Sequence, residues 1–575
     1  SYTPMTSRSN DKTHLLTILV EDYFHVGAFD SLIRKRNWPN FQTRYEQNTE
    51  KALDLLDKFD TKATFFVLGW IAEQNPSLIK EIARRGHEVA SRGFYHRGLV
   101  NLSRDEFKAD LDRTTRAIES ATGKKVLGHR AAEKLNFARD TWVLEALAEE
   151  GMAYDTSFLP VRRDAEGLRT ASVVETASGP IWEFPYSTVD LLATLVPISG
   201  GNYIRQVPYS ITKHAIRRWD EAKKDPFVFY FHVWELDPEQ PRISAASLRN
   251  RLRHYRKLDK MDWVVRDMLT TYKFDSVAGH LGLEYSRATR RDEARSKVQL
   301  STISVVGGEQ KWTTIPVTVV VPCYNEVESL PYLAKTLEGV KKELAERGYE
   351  MHATFVDDKS TDATYDKLTE YFGYDGNYRI IRHKKNLGVA GAIMSGIRAS
   401  TTEIVCSIDC DCTYDPYEIA AMLPLFKNGV DLVTASPYHP GGRVKNVPSW
   451  RLFLSKGASF LYRKTLKSDL ATYTSCFRIY RRATVADIDL KETGFLGVAE
   501  LLGKLHIQGS TIVEHPAVLE VRLFGLSKMK TAKTIAGHLK LLARLAKMRI
   551  FGNAAPIRPS SKEETIEQSS STIEN

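Results

Sequence analysis

Asp409 and Asp411 stand two apart in DCDCTYDP, directly after the apolar run EIVCSI. Hard carboxylates so placed suit Mg²⁺ or Mn²⁺ bridging a diphosphate, the cation offsetting charge on a departing nucleotide. Two further apolar runs end in VPCYNE and VDDKSTD. Ligands of open α/β sheets bind beyond the carboxyl ends of the strands, so these acidic or polar ends form one candidate site. Cys406, Cys410 and Cys412 would allow a zinc reading, but Cys410 alternates with the carboxylates and the preferred reading is buried thiols. Upstream, HEVASRGFYH sets Arg92 and His96 four apart, where a metal site would carry two imidazoles. A guanidinium stays protonated and offers a metal no lone pair.

Two α/β series must position these residues. From Leu15, strand-like runs (LLTILV, ATFFVLG, HEVAS, FVFYFHV) alternate with helical patterns such as SRDEFKADLDRTTRAIESATG, whose last glycine reads as a stop. SRATRRDEARSKVQLSTISVVGGEQKWTT breaks the periodicity as a linker does. A second series follows through IPVTVVVPCYNE, HATFVDD, YRIIRH, EIVCSID and DLVTAS, Val/Ile-rich runs of the kind buried on both faces of a sheet. The expected organisation is a polar N-terminus (1–14), a first α/β domain (15–284), a linker (285–313), a second α/β domain (314–552) and a disordered tail (553–575).

A chain of 575 residues exceeds the roughly 250 at which single domains usually stop growing. Its formal net charge of +10 predicts an anionic partner: nucleic acid, a phosphorylated substrate or an acidic membrane. Nucleic acid is disfavoured, because the basic residues carry no aromatic interleaving and no known binding motif. The five cysteines, all in the second half, look unlike a disulfide framework and fit a reducing cytosol. The polar start reads as no signal peptide, and no apolar run is long enough to span a bilayer.

With those motifs in order, the second half resembles the inverting GT-A glycosyltransferases of family 2, in particular the dolichyl-phosphate mannosyltransferase-like branch. The resemblance implies that Pro322, Tyr324, Asn325, Glu326, Val356 and Asp358 hold the nucleotide of a nucleotide-sugar donor. It implies that Asp409 and Asp411 hold Mg²⁺ or Mn²⁺ and the diphosphate, with Asp411 also catalytic. EVRLFGLSKMK matches the branch's R-x-x-G-x-S-K segment, assigning Arg522, Ser527 and Lys528 to the phosphate of a polyprenyl phosphate acceptor. Cys476, Thr413 and Pro437 replace a usual glycine, glutamine and arginine. These departures favour another donor, UDP with an N-acylated hexosamine. No Q-x-x-R-W segment or membrane span marks a processive synthase.

After the phosphate motif, KTAKTIAGHLKLLARLAKMRIF places Ile535, Leu539, Leu542, Leu545 and Met548 on one helical face and Lys533, Lys540, Arg544 and Lys547 on another. A basic amphipathic helix can lie in an anionic interface; the alternative is packing of its apolar face on its own domain. The expectation is the membrane, on the inner face of a bacterial cell, with an integral membrane partner possible.

The first half resembles the polysaccharide deacetylase (NodB-homology) family, in the exopolysaccharide and exosortase-associated branch, through VEDYFHVGAF, GHEVASRGFYH, GHRAA, YDTSF and FHVWELDPEQP. The family fold is an irregular (β/α) barrel holding zinc or another divalent metal on one Asp and two His. On this chain the resemblance assigns Asp22 and His96 to the metal, Glu21 to the base, His232 to the acid and Arg130 to orienting the base. Arg92 stands at the first metal histidine, Ala132 at a usual proline and Leu19 at a frequent aspartate. His25, His87 and His129 are nearby, and of these His25 and His87 read as structural. The expectation is a deacetylase-like domain impaired by Arg92. Its rivals are a fully bifunctional transferase and deacetylase, and a first half that only binds glycan.

Overall fold

The computed structural model describes residues 12–96, 98–99, 102–164, 166–191, 194–283, 314–525 and 531–551. The expected linker and tail lie outside them, as do Ser527 and Lys528. The described residues form two compact units divided at 310/311.

Unit one is a half-barrel. β1 (Thr13–Val20) pairs in parallel with β2 (Thr64–Val67), and β3 (Glu88–Ser91), β4 (Gly128–His129) and β5 (Tyr154–Asp155) continue the series. β6 (Ser172–Thr176) and β7 (Gly179–Glu183) close one end as an antiparallel pair. β8 (Thr188–Leu191) and β9 (Thr194–Pro197) form a separate hairpin. β10 (Val228–His232) and β11 (Lys273–Asp275) both run parallel to β1. The order β10-β1-β2-β3-β4-β5-β7-β6 stays open among the described residues. β1 starts two residues before the expected boundary: Thr13 pairs with Lys273, and buried His14 stacks on Phe227.

Of the helices, α1 (Arg104–Thr122) is bounded by a Ser103–Glu106 capping box and by Gly123 at φ 68°, the αL stop that glycine adopts without steric cost. α2 (Tyr209–Ala222) lies under the β8–β9 hairpin, with which it shares the lining of one cavity.

Unit two has β12 (Ile315–Cys323) flanked in parallel by β13 (Tyr349–Asp357) and β15 (Ile404–Ser407), with β14 (Tyr378–Arg382) outside β13. β16 (Leu432–Ser436), β18 (Arg478–Arg481) and β19 (Ile512–Pro516) complete the order β14-β13-β12-β15-β18-β16-β19, with β18 antiparallel, while β17 (Arg443–Val444) pairs with β20 (Val518–Leu519). Val319, Val321 and Phe355 feed one core layer; Val320, Val356 and Val405 feed the other, as expected for strands buried on both faces.

α3 (Val389–Ala399), α4 (Ser449–Leu466), α5 (Phe495–Ile507) and α6 (Thr531–Phe551) cover the second layer. In α6 the single apolar face of the sequence reading divides. Leu541, Leu542 and Leu545 are buried in the core, whereas Ile535, Leu539 and Met548 remain exposed. An added Cβ on Gly537 would meet Leu496 at 2.4 Å, so α6 sits closely against α5. No helix among the described residues is long and apolar enough to cross a membrane.

Candidate functional site

In unit one, the carboxyl ends of β1, β3, β4 and β10 deliver Glu21, Arg92, Arg130 and His232. Glu21 accepts from His232 Nε2 at 3.0 Å, lies 3.5 Å from Arg92 Nε and 3.6 Å from His96 Nε2, and is buried. Arg92 also donates from Nη1 to the Ala131 carbonyl and stands 3.5 Å from His96 Nε2 through Nη2. Burial alone would raise the Glu21 carboxyl, but Arg92, then His96 and His232, hold it well below the usual range. Burial also opposes the His232 charge, yet Glu21 and then Glu235 hold its pKa up. His96 is pushed down to about 4, chiefly by burial.

Asp22 is not brought to this cluster. Just past β1, Asp22 caps the helical turn that follows: its Oδ1 accepts from the Tyr23 amide (3.0 Å), while Oδ2 accepts from the amides of Arg44 (2.6 Å) and Tyr45 (3.0 Å). Burial, opposed by these amides, pushes its pKa up to about 7. Arg130 does not pair with Glu21 among the described residues; it donates to Thr156 at 3.2 Å and lies over the rings of Tyr230 (4.2 Å) and Tyr186 (4.7 Å). Leu19 is buried and in register with His232. His25 accepts from the Asp22 amide at 2.8 Å, His87 from the Ala63 amide at 3.3 Å, and His129 faces Asp155 at 2.8 Å.

Zinc does not fit this set. Among the described residues no group of three or more His, Cys, Asp and Glu is placed to hold a metal, and a guanidinium lies within 3.5 Å of both Glu21 and His96. Two residues were missed: Glu235 accepts from His232 Nδ1 at 3.2 Å and from Arg205 Nε at 2.8 Å, all buried or nearly so. The spacing His232-x-x-Glu235 inside HVWE is the signal that could have disclosed the pair.

In unit two, β12, β13 and β15 deliver Glu326, Asp358, Asp409 and Asp411 to one sheet end. The two carboxylates lie in the turn after Ser407 rather than on the strand. Arg522 forks between Asp411 and Glu326: Nε donates to Asp411 Oδ2 at 2.7 Å, and Nη2 and Nη1 donate to Glu326 at 2.8 and 3.2 Å. Burial, then the charge of Asp411, push Asp409 up to about 7 against Arg522. Two hard oxygen donors so close, their repulsion only partly offset by Arg522, fit a divalent cation. Asn325, at φ 52°, accepts from the amide of Thr361 at 2.7 Å and so ties the VPCYNE and VDDKSTD turns together. Asp358 accepts from the amides of Leu387 and Gly388, both 2.7 Å, and from His383 Nδ1 at 2.7 Å, framing the start of α3. Val356 is fully buried beside half-buried Pro322, and Tyr324 is exposed. The five cysteines are free; Cys323 and Cys410 thiols touch at 3.7 Å.

Comparisons with known proteins find relatives of both halves of the chain. The polysaccharide deacetylase family matches residues 33–152, a domain of unknown function (DUF3473) residues 156–281, and glycosyl transferase family 2 residues 318–488. The chain is 32% identical to a dolichol-phosphate mannosyltransferase of Pyrococcus furiosus over 40% of its own length and 64% of that protein. It is 30% identical to a polyprenol monophosphomannose synthase of Mycolicibacterium smegmatis over 37% of its own length and 80% of that protein. A solved structure of a proposed polysaccharide deacetylase from Mycobacterium smegmatis covers 50% of this chain and 99% of its own at 21% identity and TM-score 0.32. The protein belongs to glycosyl transferase family 2: its second half is a GT-A glycosyltransferase domain. That domain is fused to an N-terminal polysaccharide deacetylase-type half-barrel.

Proposed function

We propose that the second half moves a sugar from a nucleotide-sugar to polyprenyl phosphate. The observation that carries this is the Arg522 fork, which sets the guanidinium of the phosphate motif on Asp411 and Glu326 at the donor end of the sheet. A phosphate monoester with its second pKa near 6 is largely dianionic at neutral pH, so an acceptor oxygen can attack the anomeric carbon with no proton to remove. The new C–O bond forms as the bond to the diphosphate breaks, which inverts the anomeric centre. Asp409 and Asp411 would hold Mg²⁺ or Mn²⁺, which supplies positive charge for the departing nucleotide. Arg522, with Ser527 and Lys528 of the same motif, would hold the acceptor phosphate. The relatives are named for mannose; Thr413 and Pro437 support a different sugar here, an N-acylated hexosamine on UDP.

We also infer work at an anionic membrane surface, on the inner face of a bacterial membrane and with room for an integral membrane partner. Exposed Ile535 and Leu539 on α6 support it, together with exposed Phe453, Phe460 and Leu461 on α4, which packs against α6. The first half is read as a domain that no longer cuts, because Arg92 supplies the positive charge a metal would bring but no exchangeable coordination position. The test is mass spectrometry of lipid formed by the full chain from undecaprenyl phosphate, a panel of nucleotide sugars and Mg²⁺ or Mn²⁺. A glycolipid retaining its acyl group is the expected product. No glycolipid with any donor overturns the transferase reading, and a deacylated one overturns the reading of the first half.

A further inference from the structure

Unit one holds a cavity of about 590 Å³ between the β8–β9 hairpin and α2, inside the stretch matched by a domain of unknown function. That volume falls in the ~300–1,000 Å³ range of small-ligand sites. Buried Ile198 and Trp219 form its floor, Val189 and Leu195 line its hairpin side, and Leu191 and Ile211 are 56% and 60% exposed at its lip. Arg169, Arg218 and Lys223 also line it, against the single acid Asp190, whose charge is met by Arg162 at 3.4 Å. The buried indole Nε1 of Trp219 has no hydrogen-bond partner. A buried donor left unmatched is destabilising, and an oxygen of a bound ligand would satisfy it.

We propose that this groove binds a prenyl phosphate, its branched hydrocarbon on the apolar floor and its phosphate against the basic rim. The inference rests on the reading that the second half glycosylates such a lipid. Charge selects the occupant: an uncharged chain would use the floor and leave Arg218 and Lys223 at the rim without an anion, Arg169 being held in part by the carbonyls of Arg162 and Asp164, whereas free phosphate would use the rim and leave the apolar lip wet. The hairpin supports the same occupant. A two-stranded hairpin is marginal alone, and this one is anchored at its foot by Ile198 to Ser187 (3.0 Å) and by Val228 to Ser187 (3.0 Å), so a ligand beneath it adds the apolar contact that its free end lacks. The foot joins β10, whose far end carries His232.

The test is photolabelling of the full chain with farnesyl phosphate bearing a diazirine in its chain, the labelled peptides being mapped by mass spectrometry. Labelling within residues 188–198 and 207–222 is expected. Unlabelled farnesyl phosphate should compete at concentrations about ten-fold below farnesol, and inorganic phosphate should not compete. Ile211→Glu and Arg218→Glu, both at exposed positions, should each cut that labelling about ten-fold with the thermal transition unchanged. Labelling confined to the second half overturns the groove, as does equal competition by farnesol. Self-association of the chain that Ile211→Glu abolishes, without groove labelling, assigns the face to a second copy and also overturns it. Groove labelling by a chain that makes no glycolipid leaves this inference standing and removes the transferase reading alone.

Discussion

Arg522 Nε lies 2.7 Å from Asp411 Oδ2, joining the residue matched to the acceptor phosphate to one matched to the donor metal. A lysine could meet one of the two acids but not fork between them. Arg522→Lys is therefore expected to lower glycolipid formation about 10²-fold, the cost of losing one aligned donor at a charged transition state. Retained activity would detach Arg522 from the reaction.

Removing either carboxylate should weaken metal binding rather than folding. Burial and then the charge of Asp411 raise the Asp409 pKa; Asp409→Asn removes both the buried charge and the repulsion, so its thermal stability should equal or exceed that of the parent. Its glycolipid formation is expected to fall more than about 10²-fold and to require more Mn²⁺ for half-maximal rate. Titrating Mn²⁺ against product for both proteins tests this.

At the other site, Arg92→His would remove the guanidinium from between Glu21 and His96 and supply an imidazole. The full-length variant is expected to retain zinc through gel filtration, measured by inductively coupled plasma mass spectrometry, where the parent retains none at this site. Arg92→Ala leaves the buried Glu21 carboxylate with His232 as its remaining close cation. Breaking a buried pair commonly costs about 3–5 kcal/mol, and a loss near the lower value is expected in urea unfolding of unit one.

Five buried histidines weaken unit one in acid. Burial pushes His25 and His254 down to about 3 and His14, His87 and His96 to about 4. Each stays neutral in the fold while the unfolded chain takes up a proton near pH 6.5, so stability falls as pH drops from about 6.5 toward 4, by about 1.4 kcal/mol per unit and group. His232 works oppositely: its raised pKa contributes stability below 6.5 that is lost as pH rises through the folded value. The balance predicts a lower urea midpoint for the first-half transition at about pH 5 than at about pH 7.5. An unchanged midpoint would mean these rings are not held neutral.

Period and punctuation made most of the architecture legible. EIVCSI and FVFYFHV became β15 and β10, and ATG ended α1 in the αL glycine the pattern required. Side-chain direction at strand ends was not legible. Glu21 and Asp22 adjoin in sequence just past the end of β1, and only the turn there decides that one meets His232 while the other, capping that turn, is consumed by three amides. The α6 helix failed in a similar way: sequence spacing grouped Leu539 with Leu542 and Leu545, although the rotation imposed by packing on α5 buries the last two and exposes the first. The Arg522 to Glu326 contact spans 196 residues and no local pattern encodes it.

That rotation separates two kinds of substitution on one helix. Leu545 is fully buried and reaches within 2.7 Å of where a Cβ on Gly503 would sit, so Leu545→Glu should bury an unpaired charge and unfold unit two at lower temperature. Leu539 is 56% exposed and Ile535 43%, so Leu539→Glu and Ile535→Glu should leave the thermal transition unchanged. Exposed Lys540 and Lys547 lie on the same helix, whereas Arg544 is held by Glu492 at 3.2 Å and Glu500 at 3.3 Å and cannot serve lipid without breaking those pairs. If α6 meets an anionic surface, the two exposed-face variants should sediment with phosphatidylglycerol vesicles several-fold less than the parent, and Lys540→Glu should lose about 1 kcal/mol of binding. Arg544→Gln should bind vesicles as the parent does while losing stability. Equal sedimentation of parent and Leu539→Glu would assign α6 to packing alone and remove the membrane contact from the proposed function.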